Sequence, residues 1–140
     1  MAIHSKILVV YEDPATLKEL LAAANGLEFL PLRDRRQAVA CVKAYPSLAA
    51  VIVEQVAEAK GFLETLQNVQ AAQPTLRRVA VSDSSDLFSV IDGLHTGAID
   101  AVLYRPVDAR QLHAAVRGSE AGAAPVTTQG APARRNATAR

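Results

Sequence analysis

Thr96-Gly97-Ala98-Ile99-Asp100-Ala101-Val102-Leu103-Tyr104-Arg105-Pro106-Val107-Asp108 holds, in order, the end of one helix, a short strand and the start of another helix. Gly97 supplies the left-handed residue that commonly closes a helix. Ala101–Tyr104 is a short apolar run of strand type. Asp108 is placed to cap the helix that follows. Arg105, fixed in front of Pro106, then lies at the carboxyl end of a strand. In an open α/β sheet that end is where ligands bind.

The same strand-then-helix grammar runs back to the amino terminus. Residues 6–10 (Lys6-Ile7-Leu8-Val9-Val10) form a β-branched run that reads as a buried parallel strand. Glu12-Asp13-Pro14 opens a helix: acids suit its positive end, and proline suits its first turn. Leu17, Leu20, Leu21 and Ala24 recur at helical spacing up to Gly26. Leu27–Leu32 is a second strand. Asp34 caps a helix carrying Ala38, Cys41, Val42 and Tyr45, stopped by Pro46. A third strand covers residues 49–53, a helix residues 61–73, and a fourth strand residues 78–82. Asp86 caps a helix with Phe88, Val90, Ile91 and Leu94, and residues 109–116 make the last helix. Regular βα alternation implies an α/β fold, with a parallel sheet covered by helices on both faces. The pattern stops after Arg117. Residues 1–117 are therefore read as one domain, and residues 118–140, rich in Ala, Gly, Pro, Thr and Arg, as a disordered tail or linker.

Composition narrows the function classes. A chain of 140 residues, half of them hydrophobic, supplies one real core. A formal net charge of +1 gives no electrostatic case for a nucleic-acid or membrane partner. Cys41 is the single cysteine, so there is no disulfide framework and no thiolate metal site. His4, His95 and His113 share no ligand spacing. Without a signal-peptide pattern or a membrane-length apolar run, the expected location is the cytoplasm, and Asn136-Ala137-Thr138 is a chance sequon.

Five strand ends in this order, closed by a basic residue before proline, resemble the receiver domains of two-component response regulators, the CheY-like family. The resemblance covers residues 5–117. It implies a doubly wound, flavodoxin-like (βα)5 fold with strand order 2-1-3-4-5. It also implies a pocket in which an active member makes an aspartyl phosphate with Mg²⁺. That chemistry needs two acids after the first strand, an Asp after the third, Ser or Thr after the fourth, and Lys before the last proline. Mg²⁺ wants hard oxygen ligands, the carboxylate is the nucleophile, and the hydroxyl and ammonium hold phosphoryl oxygens.

Here the positions read Tyr11 and Glu12, Glu54, Ser82 and Arg105. Only Ser82 matches. Glu54 at the phosphoacceptor position carries one methylene too many for in-line attack and imitates a phosphoryl group only in part, with one negative charge against about two. Arg105 offers a bidentate fork where lysine offers a point charge. The expected arrangement is an internal network of Arg105, Glu54 and Ser82, with Tyr11 filling the space of a lost metal. Mg²⁺ binding is expected to be lost, leaving no cofactor and no catalytic residue. Val102 stands at the position where active receivers often carry the switch aromatic, and Tyr104 is expected to pack in the core. The resemblance implies a non-enzymatic pseudo-receiver in bacterial signalling that binds a protein partner or a second copy through the fourth helix, fifth strand and fifth helix. The alternative is a receiver that still accepts phosphate or a divalent ion and switches.

Overall fold

A computed structural model describes residues 5–55, 59–82 and 87–118. The elements are β1 (Ser5–Val10), α1 (Pro14–Ala23), β2 (Leu27–Leu32), a 3-10 turn (Arg35–Gln37), α2 (Ala38–Ala44), β3 (Ala50–Glu54), α3 (Ala59–Ala72), β4 (Arg77–Ser82), α4 (Leu87–Thr96), β5 (Ala101–Tyr104) and α5 (Ala109–Arg117). All five strands form one parallel sheet in the order β2-β1-β3-β4-β5, as the resemblance implied. The expected tail beyond Gly118, and the Asp86 cap, lie outside the described residues.

Strand alternation sorts the core into two layers. Leu8, Val10, Val51, Val53 and Ala80 meet Val42 of α2 and Phe62, Leu66 and Val69 of α3. Ile7, Val9, Ile52, Val79, Val81 and Leu103 meet Leu20 of α1 and Leu112, Ala115 and Val116 of α5 on the other face. The central strands are apolar on both sides because helices cover both.

The helix starts are built by aspartates. The Asp13 carboxylate accepts from Ala15 N–H at 2.9 Å, and that of Asp108 from Arg110 N–H at 2.7 Å. Asp34 caps the 3-10 turn rather than an α-helix, which starts only at Ala38. The side-chain hydrogen bond from Arg36 holds the Asp34 carboxyl below the usual carboxylate range. Gly118 closes α5 at φ +73°, a conformation that favours glycine.

One buried cation ties the amino-terminal end of the sheet. Arg78, 4% exposed on β4, donates four hydrogen bonds to carbonyl oxygens: Nε to Ala98, Nη1 to Pro74 and Leu76, and Nη2 to Gly97. Asp100 lies 3.7 Å from Nη2 and accepts from the Arg78 backbone N–H at 2.8 Å. This knot joins the α3–β4 connection to the α4–β5 connection, and it gives a buried guanidinium the partners it needs.

The two sheet edges differ. Tyr11 N–H donates to Leu32 O, so the even residues of β2 face β1 and its odd residues face outward. Pro31 is one of the outward positions and has no N–H to offer. On β5, Arg105 N–H donates to Ser82 O, so Val102 and Tyr104 turn their backbone groups to the open edge.

On the same side of the molecule α4 packs thinly. Val90 and Gly93 are buried, and Gly93 lies so close to Ile99 that a side chain there would collide with it. Phe88, Ile91 and Leu94 are exposed, Phe88 by 85%. Tyr104 is 42% exposed, against the expectation that it packs in the core. The strand alternation is as expected, but β5 is an edge strand, and its side chains are covered less than those of the central strands. Partial burial pushes the Tyr104 phenol above its ordinary value. Among the described residues, no helix is long and apolar enough to cross a membrane.

Candidate functional site

The carboxyl ends of β1, β3, β4 and β5 bring Tyr11, Glu12, Glu54, Ser82 and Arg105 to one end of the sheet. Glu54 is its centre. Oε1 accepts from the backbone N–H of Glu12 at 2.7 Å and of Asp13 at 3.0 Å, while Oε2 accepts from the Thr16 hydroxyl at 2.6 Å. The carboxylate thus sits at the amino end of α1, where unpaired amides and the helix dipole both favour an anion. Asp13 caps α1 from within the chain, and Glu54 caps it from across the sheet. The extra methylene of glutamate gives the reach this requires.

The flanking acids are turned elsewhere. The Glu12 carboxylate takes a 2.8 Å ion pair from Arg35 Nη1. The Asp13 carboxylate is spent on its own helix, with Arg105 Nη1 at 3.9 Å. Tyr11 belongs to the apolar cluster under α1 and α5, and the Arg33 guanidinium stands 6.0 Å from its ring centroid. Its ring is core packing rather than a filler of the Glu54 cluster. The reason is alternation: Tyr11 continues the Ile7–Val9 face of β1.

The expected Arg105–Glu54–Ser82 network does not form. Arg105 Nε donates to Glu19 Oε1 at 3.2 Å, and the same oxygen accepts from Val107 N–H at 3.3 Å. The guanidinium lies back along α1 because two acids, Asp13 and Glu19, flank it there, whereas Glu54 already has its donors. Arg105 meets Ser82 through the backbone, N–H to carbonyl at 3.1 Å. The Ser82 hydroxyl, buried, donates to Oε1 of Gln55. Val102 is partly buried against the α2/α3 core layer.

Three residues that matter here were not singled out by sequence reasoning: Thr16, Glu19 and Arg35. Thr16 had a signal, since it stands three residues after the capping Asp13, on the first turn. Arg35 had none, because its partner Glu12 is on another loop. The Arg35 guanidinium crosses Gly61 of α3 to reach Glu12, and a Cβ on Gly61 would overlap it. Gly61→Ala should therefore detach Arg35 from Glu12. The ion pair is half-exposed and weak, and alanine is the better helix former. The expected stability change is within about 1 kcal/mol of zero. Urea denaturation measures it, and a loss above ~2 kcal/mol would show that the Arg35 pair carries more than a surface ion pair does.

No protein-family model and no curated protein matches this sequence. Solved structures do resemble the fold. The signal receiver domain of an HD domain-containing protein from Pseudomonas fluorescens superposes with TM-score 0.69 at 21% identity, over 84% of this chain and 94% of that one. The N-terminal signal receiver domain of a two-component system response regulator from Bacteroides fragilis gives 0.71 at 14% identity, over 83% and 96%. A putative pilus assembly-related protein from Burkholderia pseudomallei gives 0.70 at 19% identity, over 89% and 96%. Sheet order, helix placement and these superpositions agree: the chain has the fold of the response regulator receiver domains.

Proposed function

We propose that this domain is a phosphorylation-independent pseudo-receiver, a non-enzymatic protein-interaction module of bacterial signalling that works in the cytoplasm. The observation that carries the reading is the Glu54 carboxylate. Both its oxygens are already held, by two amides and a hydroxyl, at the position where an active receiver has a free nucleophile. The same donors disfavour Mg²⁺. An octahedral Mg²⁺ site needs several oxygen ligands turned to one point. Here Glu12 faces Arg35, Asp13 faces its own helix and Glu54 faces N–H donors. Among the described residues, no three His, Cys, Asp or Glu side chains converge to hold a metal ion. The side of the molecule formed by α4, β5 and α5 is the proposed docking surface for a protein partner, supported by the exposed Phe88, Ile91, Leu94 and Tyr104.

An amide NMR titration with Mg²⁺ and beryllofluoride, a phosphoryl mimic, tests this on the full chain. The expected result is no saturable shift at Glu12, Glu54 or Ser82. Saturable shifts there that spread into α4 would mean the domain still binds the ion and switches, and the reading would be wrong.

A further inference from the structure

We propose that the cleft between the 3-10 turn and α3 binds a small zwitterion of the amino-acid type, its carboxylate on Arg35 and Arg36 and its ammonium on Glu64. The cleft shares no residue with the docking surface above, and the proposal stands whether or not that reading does. One wall is Arg35 and Arg36 of the turn with Val39 of α2. The other is Glu64, Thr65 and Asn68 of α3. The spacing of Glu64 and Asn68 sets them one turn apart on the same helix face. Thr65 donates its hydroxyl to the Gly61 carbonyl at 2.6 Å, which leaves a carboxylate and an amide as the polar groups of that wall.

The two walls carry opposite charge and do not close on each other. Neither guanidinium comes within ion-pair distance of Glu64, and among the described residues Glu64 and Asn68 have no hydrogen-bonding or ionic partner. The reason lies in what holds the arginines. Asp34 takes Arg36 through Nε at 3.0 Å and Nη2 at 3.2 Å. Glu12 takes Nη1 of Arg35 at 2.8 Å, and the rest of that guanidinium lies against the bare backbone of Gly61. Each arginine is thus fixed by an acid on its own side, while Nε and Nη2 of Arg35 and Nη1 of Arg36 still have N–H groups to give. Groups held in place beforehand lose little freedom when a ligand arrives. The planar N–H fork of arginine suits a carboxylate.

Size and charge select the ligand. The cleft holds about 100 Å³, below the roughly 300–1,000 Å³ of pockets that take drug-sized molecules. A nucleotide is too large for it. Glu12 and Asp34 already balance the two guanidiniums, so no net positive field draws a free anion. A free anion would also leave Glu64 unmet, and a free cation would sit beside two guanidiniums. A zwitterion of a few heavy atoms satisfies both walls, and the Asn68 amide can accept from its ammonium or donate to its carboxylate. The walls are open to water, Arg36 by 87%, so the ion pairs are screened and the affinity is low, with Kd on the order of 1 mM.

Amide NMR titration of the full chain with 4-aminobutyrate, butyrate and butylamine tests this, with glycine and β-alanine added to vary the charge separation. At least one zwitterion should give saturable shifts at residues 35–39 and 64–68, and butyrate and butylamine should bind at least ~5-fold more weakly. Glu64→Gln, a change at an exposed position, should remove that preference and leave the rest of the spectrum unchanged. No saturable shift with any zwitterion up to about 50 mM overturns the site. Butyrate binding there as tightly as the best zwitterion overturns the ligand class. A preference that survives Glu64→Gln overturns the ammonium's place on Glu64. Equal shifts at exposed arginines elsewhere, such as Arg33 and Arg110, would show unspecific ion pairing and overturn the site as well. The comparison of probes needs no variant, so the test survives if Glu64→Gln fails to fold.

Discussion

Arg78→Ala should cost this domain about 3–5 kcal/mol, enough to lower its melting temperature by more than ~10 °C or to unfold it at room temperature. The substitution removes a cation that is fully packed and leaves the carbonyls of Pro74, Leu76 and Ala98 without its hydrogen bonds, while the Gly97 carbonyl keeps the one from Gln70 Nε2 at 3.3 Å. Each buried acceptor left unmet costs about 1–3 kcal/mol, and the missing side chain opens a cavity as well. Arg78→Met separates these terms. It restores most of the volume but no donor, so it should recover less than half of the loss. Urea denaturation monitored by far-UV circular dichroism measures both. A loss under ~1 kcal/mol for Arg78→Ala would mean that water replaces the guanidinium without difficulty, and the knot would not be a stabilising feature.

Glu54→Ala should cost about 2–3 kcal/mol, an unusually large effect for a residue at the rim of a sheet. Three hydrogen bonds to a carboxylate are lost together, and the Thr16 hydroxyl, fully buried, loses its acceptor. The first turn of α1 should fray, so hydrogen exchange at Glu12 and Asp13 should rise more than exchange in β3. Glu54→Gln keeps an oxygen for the two amides and should cost about 1 kcal/mol, mainly the charge–dipole part. Equal, near-zero effects of both substitutions would show that the carboxylate is a bystander, and the basis for a structural role at the phosphoacceptor position would go with it.

Much of the fold is legible because its signals are local. Gly97 and Asp108 bracket β5, and Pro14 and Asp13 start α1. The apolar runs at β1, β3 and β4 are short and bounded, so each strand falls within a residue of its expected place. The candidate site is legible only as a set of positions. Glu54, Ser82 and Arg105 do reach one end of the sheet, as expected, but their partners could not be read from the chain. A charged side chain has several partners within reach once the fold is closed, and the choice depends on distances between loops. Arg105 had Glu19 and Asp13 beside it, and Glu54 had the amides of α1 in line. Arg78 was hidden for another reason. An arginine opening a strand reads as a solvated boundary, and only its surroundings show it buried among carbonyls.

Pro31 has a consequence for the edges of the sheet. A parallel sheet has two edges, and each is a potential template for one more strand. On β2 the proline interrupts the outward row of donors, while on β5 the row is intact. Among the described residues the two edges are therefore unequal templates, β2 the poorer and β5 the better for an added strand.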